Sequence, residues 1–136
     1  MKKEQINDLF ERFENARYLL GGVECWSARE LQNIFNYVQW RNFTKVVDKA
    51  REACENAGIP VSDHFADISK MVDLGSKSQR QVDDIALTRY ACYLVAQNGD
   101  PAKSEVAFAL ESKEKFVVKT KKKEIKLRKR FYLLRG

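Results

Sequence analysis

Apolar residues recur at helical spacing from the start of the chain. Ile6, Leu9, Phe10, Phe13, Ala16 and Leu20 define the buried stripe of a helix over residues 4–20, with Glu4, Asp8, Glu11 and Glu14 elsewhere on its surface. Gly21-Gly22 is expected to stop this helix, because glycine takes the left-handed C′ conformation without a Cβ clash. Trp26-Ser27-Ala28-Arg29-Glu30-Leu31 then reads as a capping box with a hydrophobic staple. Ser27 can accept from the Glu30 N–H, Glu30 can reach back to the Ser27 N–H, and Trp26 can pack on Leu31. The helix it opens should bury Leu31, Ile34 and Phe35 and end near Asn36-Tyr37. A further helix follows on Trp40, Phe43, Val46, Val47, Ala50 and Cys54, and Gly58-Ile59-Pro60 ends it.

The period changes beyond Pro60. Ile68, Val72 and Leu74 nearly alternate with Lys70 and Asp73, and Val82, Ile85 and Leu87 do so loosely. The polar stretch Gly75-Ser76-Lys77-Ser78-Gln79-Arg80 separates them, which predicts a β-hairpin with a basic tip at Lys77 and Arg80. A short helix over Phe65, Ile68 and Val72 is the competing reading. Thr88 is placed to cap a helix over 89–97, which Asn98-Gly99-Asp100-Pro101 breaks. Val106–Leu110 has the composition of one more helix. The fold class expected is therefore α+β: helices packed around a small antiparallel hairpin, in a winged-helix-like layout, with a basic C-terminal tail. The corresponding division is an N-terminal helix at 1–22, a domain at 23–112 and a tail at 113–136.

Charge sharpens this division. The whole chain carries a formal +6, but residues 1–112 hold 14 basic and 17 acidic side chains, whereas residues 113–136 hold 11 basic and 2 acidic. The body is thus at −3 and the tail at +9, so the basic character belongs to the tail. No run of about 18 apolar residues is present, so no transmembrane helix is expected. The first residues lack an apolar h-region, so no signal peptide is expected either.

Catalytic chemistry finds little support. Cys25, Cys54 and Cys92 form no CxxC, and Cys54 and Cys92 sit on apolar helical faces where free cysteine is normally buried. His64 is the sole imidazole, and Asp63, His64 and Asp67 offer too few soft or nitrogen ligands for zinc. Asp83-Asp84 reads as surface charge rather than a metal-binding pair, since adjacent strand residues point to opposite faces. Gly21-Gly22 lacks the frame of a phosphate-binding loop. No catalytic residue, metal or cofactor is assigned.

Nucleic acid is the better-supported partner class. Arg41 and Lys45 near the start of their helix, with Lys77 and Arg80 at the hairpin tip, have the outline of a wing beside a helix pair. The same four also fit ordinary surface charge. The tail runs Lys121-Lys122-Lys123 and Arg128-Lys129-Arg130 would bind a polyanion without reading sequence.

Several stretches carry a resemblance. They are Trp26–Leu31, the aromatics Tyr37, Trp40 and Phe43, Ala50–Asn56, Asp63-His64-Phe65, Gly75-Ser76, Gln79-Arg80 and the long string Leu87–Pro101. Together they resemble the N-terminal region of the DNA-damage-inducible protein D family over more than half of the chain. More distantly, the layout is similar to the BRO-N domain of phage antirepressor-like and viral proteins, which is associated with DNA binding. The resemblance implies a bacterial, cytoplasmic, non-enzymatic protein of the SOS response that acts on recombinase filaments on single-stranded DNA, or on DNA itself. Arg89 joins Arg41, Lys45, Lys77 and Arg80 among the candidate binding residues. The alternatives it leaves open are a phage antirepressor-like transcriptional regulator and a shortened remnant without activity, since family chains are longer. A homo-oligomer is compatible with each.

Overall fold

A computed structural model describes residues 3–99. Expectations for Val106–Leu110 and for the tail at 113–136 lie outside the described residues. The elements run α1 (Lys3–Asn15), β1 (Tyr18–Leu20), β2 (Val23–Ser27), α2 (Ala28–Ile34), α3 (Trp40–Asn56), β3 (Phe65–Gly75), β4 (Ser78–Leu87) and α4 (Arg89–Gln97), with a 3-10 turn at Val61–Asp63. The four strands form one antiparallel sheet in the order β1-β2-β4-β3. The α+β class is therefore correct, with a larger sheet than a lone hairpin.

The N-terminal helix is shorter than its periodicity predicts. It stops at Asn15, and Tyr18–Leu20 pairs with Val23–Cys25 as a hairpin. Gly21 and Gly22 form its two-residue turn at φ +59° and +83°, the twist that a tight hairpin favours and that glycine alone adopts freely. Ala16 and Leu20 happened to continue the helical spacing, so a three-residue strand left no pattern of its own. The boundary expected after residue 22 coincides with the end of this turn, where β2 begins. Leu9 and Phe13 of α1 lie in the same core as Trp26, Leu31, Phe43 and Leu87.

The central helices end as their sequences dictate. At the end of α2, Asn36 takes φ +62°, its N–H donates to Asn33 O and the Tyr37 N–H donates to Gln32 O. At the end of α3, Gly58 takes φ +77°, its N–H donates to Glu55 O and the Ile59 N–H donates to Cys54 O. Both are Schellman closures that satisfy the last carbonyls.

The β3–β4 ribbon resolves the competing readings of residues 61–87 in favour of strands. Its register pairs Ile68 with Asp84, Val72 with Arg80 and Gly75 with Ser78. Phe65, Ile85 and Leu87 at its root enter the main core. On the opposite sheet face Val23, Cys25 and Ala86 form a smaller cluster, with Tyr18, Leu20, Ala66 and Ile68 packed against it.

Candidate nucleic-acid interface

The polar groups of the body divide into those the fold consumes and those it leaves at the surface. Thr88 caps α4 by accepting from the Ala91 N–H at 3.1 Å. His64 Nδ1 lies 2.7 Å from the same hydroxyl, which links the imidazole to the cap by a hydrogen bond. His64 is fully buried and its ring meets Tyr90 edge-on.

The N-terminus of α2 is held by two residues. Ser27 Oγ accepts from the Glu30 N–H at 3.4 Å and donates to Asp84 Oδ2. Asp84 Oδ1 accepts from the Arg29 N–H at 3.1 Å and from its own neighbour, the Ile85 N–H, at 2.8 Å. Asp84 is thus a buried cap supplied from another strand, and the reading of it as surface charge is corrected; Asp83 is exposed. Glu30 does not complete the reciprocal half of the capping box, because its Oε1 accepts from Lys70 Nζ at 3.1 Å. A cleft of about 470 Å³ lies over Ser27 and Asp84, rimmed by Tyr18, Ile68 and Lys70. Its floor carboxylate is occupied by these caps. Among the described residues no group of three or more His, Cys, Asp or Glu is placed to hold a metal ion.

Arg89 is placed differently from its expectation. It is 3% exposed and cannot serve as a surface contact. Its guanidinium donates to both Glu14 oxygens at 2.6 and 3.2 Å and to Glu24 at 3.3 and 3.4 Å. It also lies 4.8 Å from the Trp26 ring centre. Its pKa is raised: burial opposes the charge, and the Glu14 and Glu24 carboxylates more than compensate. Arg89 is a clamp between α1, β2 and α4. Its position next to the capping Thr88 gave no sign of this, because both partners are distant in sequence.

Arg41, Lys45, Lys77 and Arg80 are all exposed and make no ion pair with a described residue. Arg41 and Lys45 lie in the first half of α3, whose first turn holds no acidic residue. Lys77 lies in the two-residue turn of the ribbon and Arg80 on β4 just beyond it. The tail residues Lys121, Lys122, Lys123, Arg128, Lys129 and Arg130 lie outside the described residues.

The residue that relates helix to ribbon is Arg29, which sequence reasoning treated only as part of a cap. Its guanidinium stacks 4.1 Å from the Trp40 ring centre, and its Nε–H donates to the Asp83 carbonyl at 2.6 Å. The first residue of α3 is thereby tied to β4 where the ribbon leaves the core. A second tie runs from Arg51 to Asp67 at 3.1 Å, joining a later turn of α3 to β3. The start of α3 and the root of the ribbon therefore form one continuous surface. From Asp83 the ribbon projects by five residues of β4, or about 17 Å at roughly 3.3 Å per residue.

The turn at the ribbon's end is unusual. Ser76 takes φ +48° and Lys77 φ +65°. Two-residue hairpins favour Asn-Gly or Gly-Gly at such positions, because a Cβ is disfavoured there. Gly75, at φ +82°, precedes them. An ammonium group is held at the extreme end of the ribbon in a conformation that costs stability.

Among the described residues no helix is long and apolar enough to cross a membrane. No solved structure matches the chain. The chain is 42% identical over 121 residues to DNA damage-inducible protein D of Escherichia coli (strain K12), an alignment covering 88% of this chain and 43% of that protein. It thus spans less than half the length of that relative. Residues 15–116 match the BRO family, N-terminal domain. That match takes in β1 to α4 and covers most of the sequence: the chain belongs to the BRO family through its N-terminal domain.

Proposed function

We propose that this chain is a non-enzymatic DNA-binding module of a DNA-damage response. It engages DNA, bare or within a recombinase filament, through the start of α3 and the tip of the β3–β4 ribbon. The observation that carries this reading is Lys77. A hairpin turn optimised for stability would hold glycine there, whereas this one holds an exposed cation at φ +65°. Strain kept in a fold at an exposed charged tip is the mark of a working surface. Arg80 on the same ribbon and Arg41 and Lys45 on the helix tied to it by Arg29 extend the positive surface. The similarity to DNA damage-inducible protein D supports the biological setting, and the BRO family match supports the domain type.

In this reading α2 and α3 with the ribbon make a winged-helix-like arrangement, and the body meets phosphate at two exposed pairs of cations, Arg41 with Lys45 and Lys77 with Arg80, despite its net negative charge. The basic tail adds affinity without sequence preference. A transcriptional regulator of the antirepressor kind is the second reading, favoured by the BRO family match itself. Fluorescence anisotropy of the full chain separates them, using single-stranded DNA, recombinase-coated single strands and duplexes of varied sequence. Binding to bare or coated DNA regardless of sequence supports the first reading. Preference for particular duplexes supports the second, and absence of binding to all of them overturns both.

A further inference from the structure

The ribbon carries exposed apolar residues as well as charge. Leu74 is 58% and Met71 55% exposed, on the half of β3 that projects from the core. The register identifies Leu74 as a bulged residue. Asp73 pairs with Gln79 and Gly75 with Ser78, so β3 holds one more residue than β4 between these pairs, and Leu74 is the one left without a partner. A bulge re-aims its side chain and tightens the local twist. Here it sits three positions before the strained Lys77, with Arg80 on the facing strand. The neighbouring carboxylate of Asp73 is engaged by the Gln79 amide at 3.0 Å.

Leu74 thus sets an exposed apolar side chain on the same end of the ribbon as the exposed cations Lys77 and Arg80. Burying it would be favourable, and the bulge sets the direction in which it leaves the ribbon. The cations name the occupant's chemistry: a polyanion that also offers an apolar interior. Duplex DNA has both, with phosphates along its edges and stacked bases between them. Apolar wedges of this size enter base steps from the minor groove, unstack them and kink the duplex. We propose that Leu74 is such a wedge: the ribbon tip enters the minor groove, Lys77 and Arg80 hold flanking phosphates, and Leu74 inserts at a base step and bends the DNA. This rests on the DNA-binding reading above and adds to it a deformation and the residue that causes it.

The test uses the full chain and a duplex labelled at its two ends for energy transfer, with anisotropy on the same samples. The wild-type chain is expected to shorten the end-to-end distance on binding, in keeping with kinks of about 20–90° for this class of contact. Leu74→Ser should still bind, with the shortening largely lost, while Leu74→Phe should keep it. Thermal unfolding of both variants should match the wild type, because Leu74 is exposed. If the wild-type chain binds and the duplex stays straight, or Leu74→Ser bends it as well as the wild type does, the wedge is overturned and the DNA-binding reading stands. If no variant binds the duplex at all, the duplex reading fails and the wedge fails with it.

Discussion

Trp26 and Phe13 are joined twice. Their rings stack with centroids 4.3 Å apart and 8° between planes, and the indole N–H of Trp26 donates to the Phe13 carbonyl at 2.7 Å. Both side chains are fully buried. This pair locks α1 onto β2 and makes the N-terminal helix part of the core. Trp26→Phe keeps most of the stacking but loses the donor and leaves a small void. It is expected to cost about 2 kcal/mol in denaturant unfolding. Trp26→Ala should cost about 3–5 kcal/mol.

Arg89 and Arg17 together supply the charge that allows Glu24, itself 7% exposed, to be buried, at 3.3 and 3.0 Å from its two oxygens. Arg89→Gln leaves Glu14 against a neutral amide, while Glu24 keeps only its pairing with Arg17. The expected loss is about 3 kcal/mol, at the low end for a broken buried pair because Glu14 remains a third exposed. Equilibrium unfolding would measure it. DNA affinity under conditions where the variant is folded should be unchanged, which separates this structural cation from the four surface ones.

The thiols of Cys25 and Cys92 are buried, and burial raises both pKa values, Cys25 from 9 to about 12. Their ionisation in the folded state is suppressed, so both should react slowly with a maleimide or disulfide reagent near pH 8 and fast once the chain is unfolded. The linkage has a definite sign. A pKa raised on folding gives stability that is complete below the unfolded value of 9 and declines as pH rises from there towards 12. Denaturant midpoints should therefore fall above about pH 9. Cys25→Ser, which does not titrate in that range, should flatten part of the decline.

The ribbon turn allows stability and function to be moved in opposite directions. Ser76→Asn with Lys77→Gly installs residues suited to the φ values of +48° and +65°. It is expected to stabilise the chain by about 1 kcal/mol or slightly more. DNA affinity should drop at the same time, because the ammonium group is gone. Calorimetry and anisotropy on the same variant read both effects.

Much of the fold is legible along the chain where local chemistry decides it. The Ser27 and Thr88 caps, the Asn36 and Gly58 helix ends, and the hairpin around Ser76-Lys77 each depend on a few neighbouring residues. What escapes is decided by partners far apart in sequence. The β1 strand hides in a helical spacing because three residues are too few to show alternation. Asp84 looks like surface charge until Ser27 and the Arg29 N–H, more than fifty residues earlier, arrive beside it. Arg89 looks like an exposed cation until Glu14 and Glu24 close on it. At the candidate interface the four surface cations were readable as residue types. The stack of Arg29 on Trp40 and its bond to Asp83, which relate α3 to the ribbon, were not.

The central claim is that the folded body makes its own interactions with DNA beside those of the basic tail. The most direct measurement is the salt dependence of duplex affinity for the full chain against a variant carrying Arg41→Gln, Lys45→Gln, Lys77→Gln and Arg80→Gln. Each phosphate that is no longer neutralised lowers the slope of log K against log salt by about 0.9. The account predicts a slope shallower by roughly 3–4 and a weaker complex at every salt concentration. An unchanged slope and affinity would contradict it, and would assign all binding to the tail.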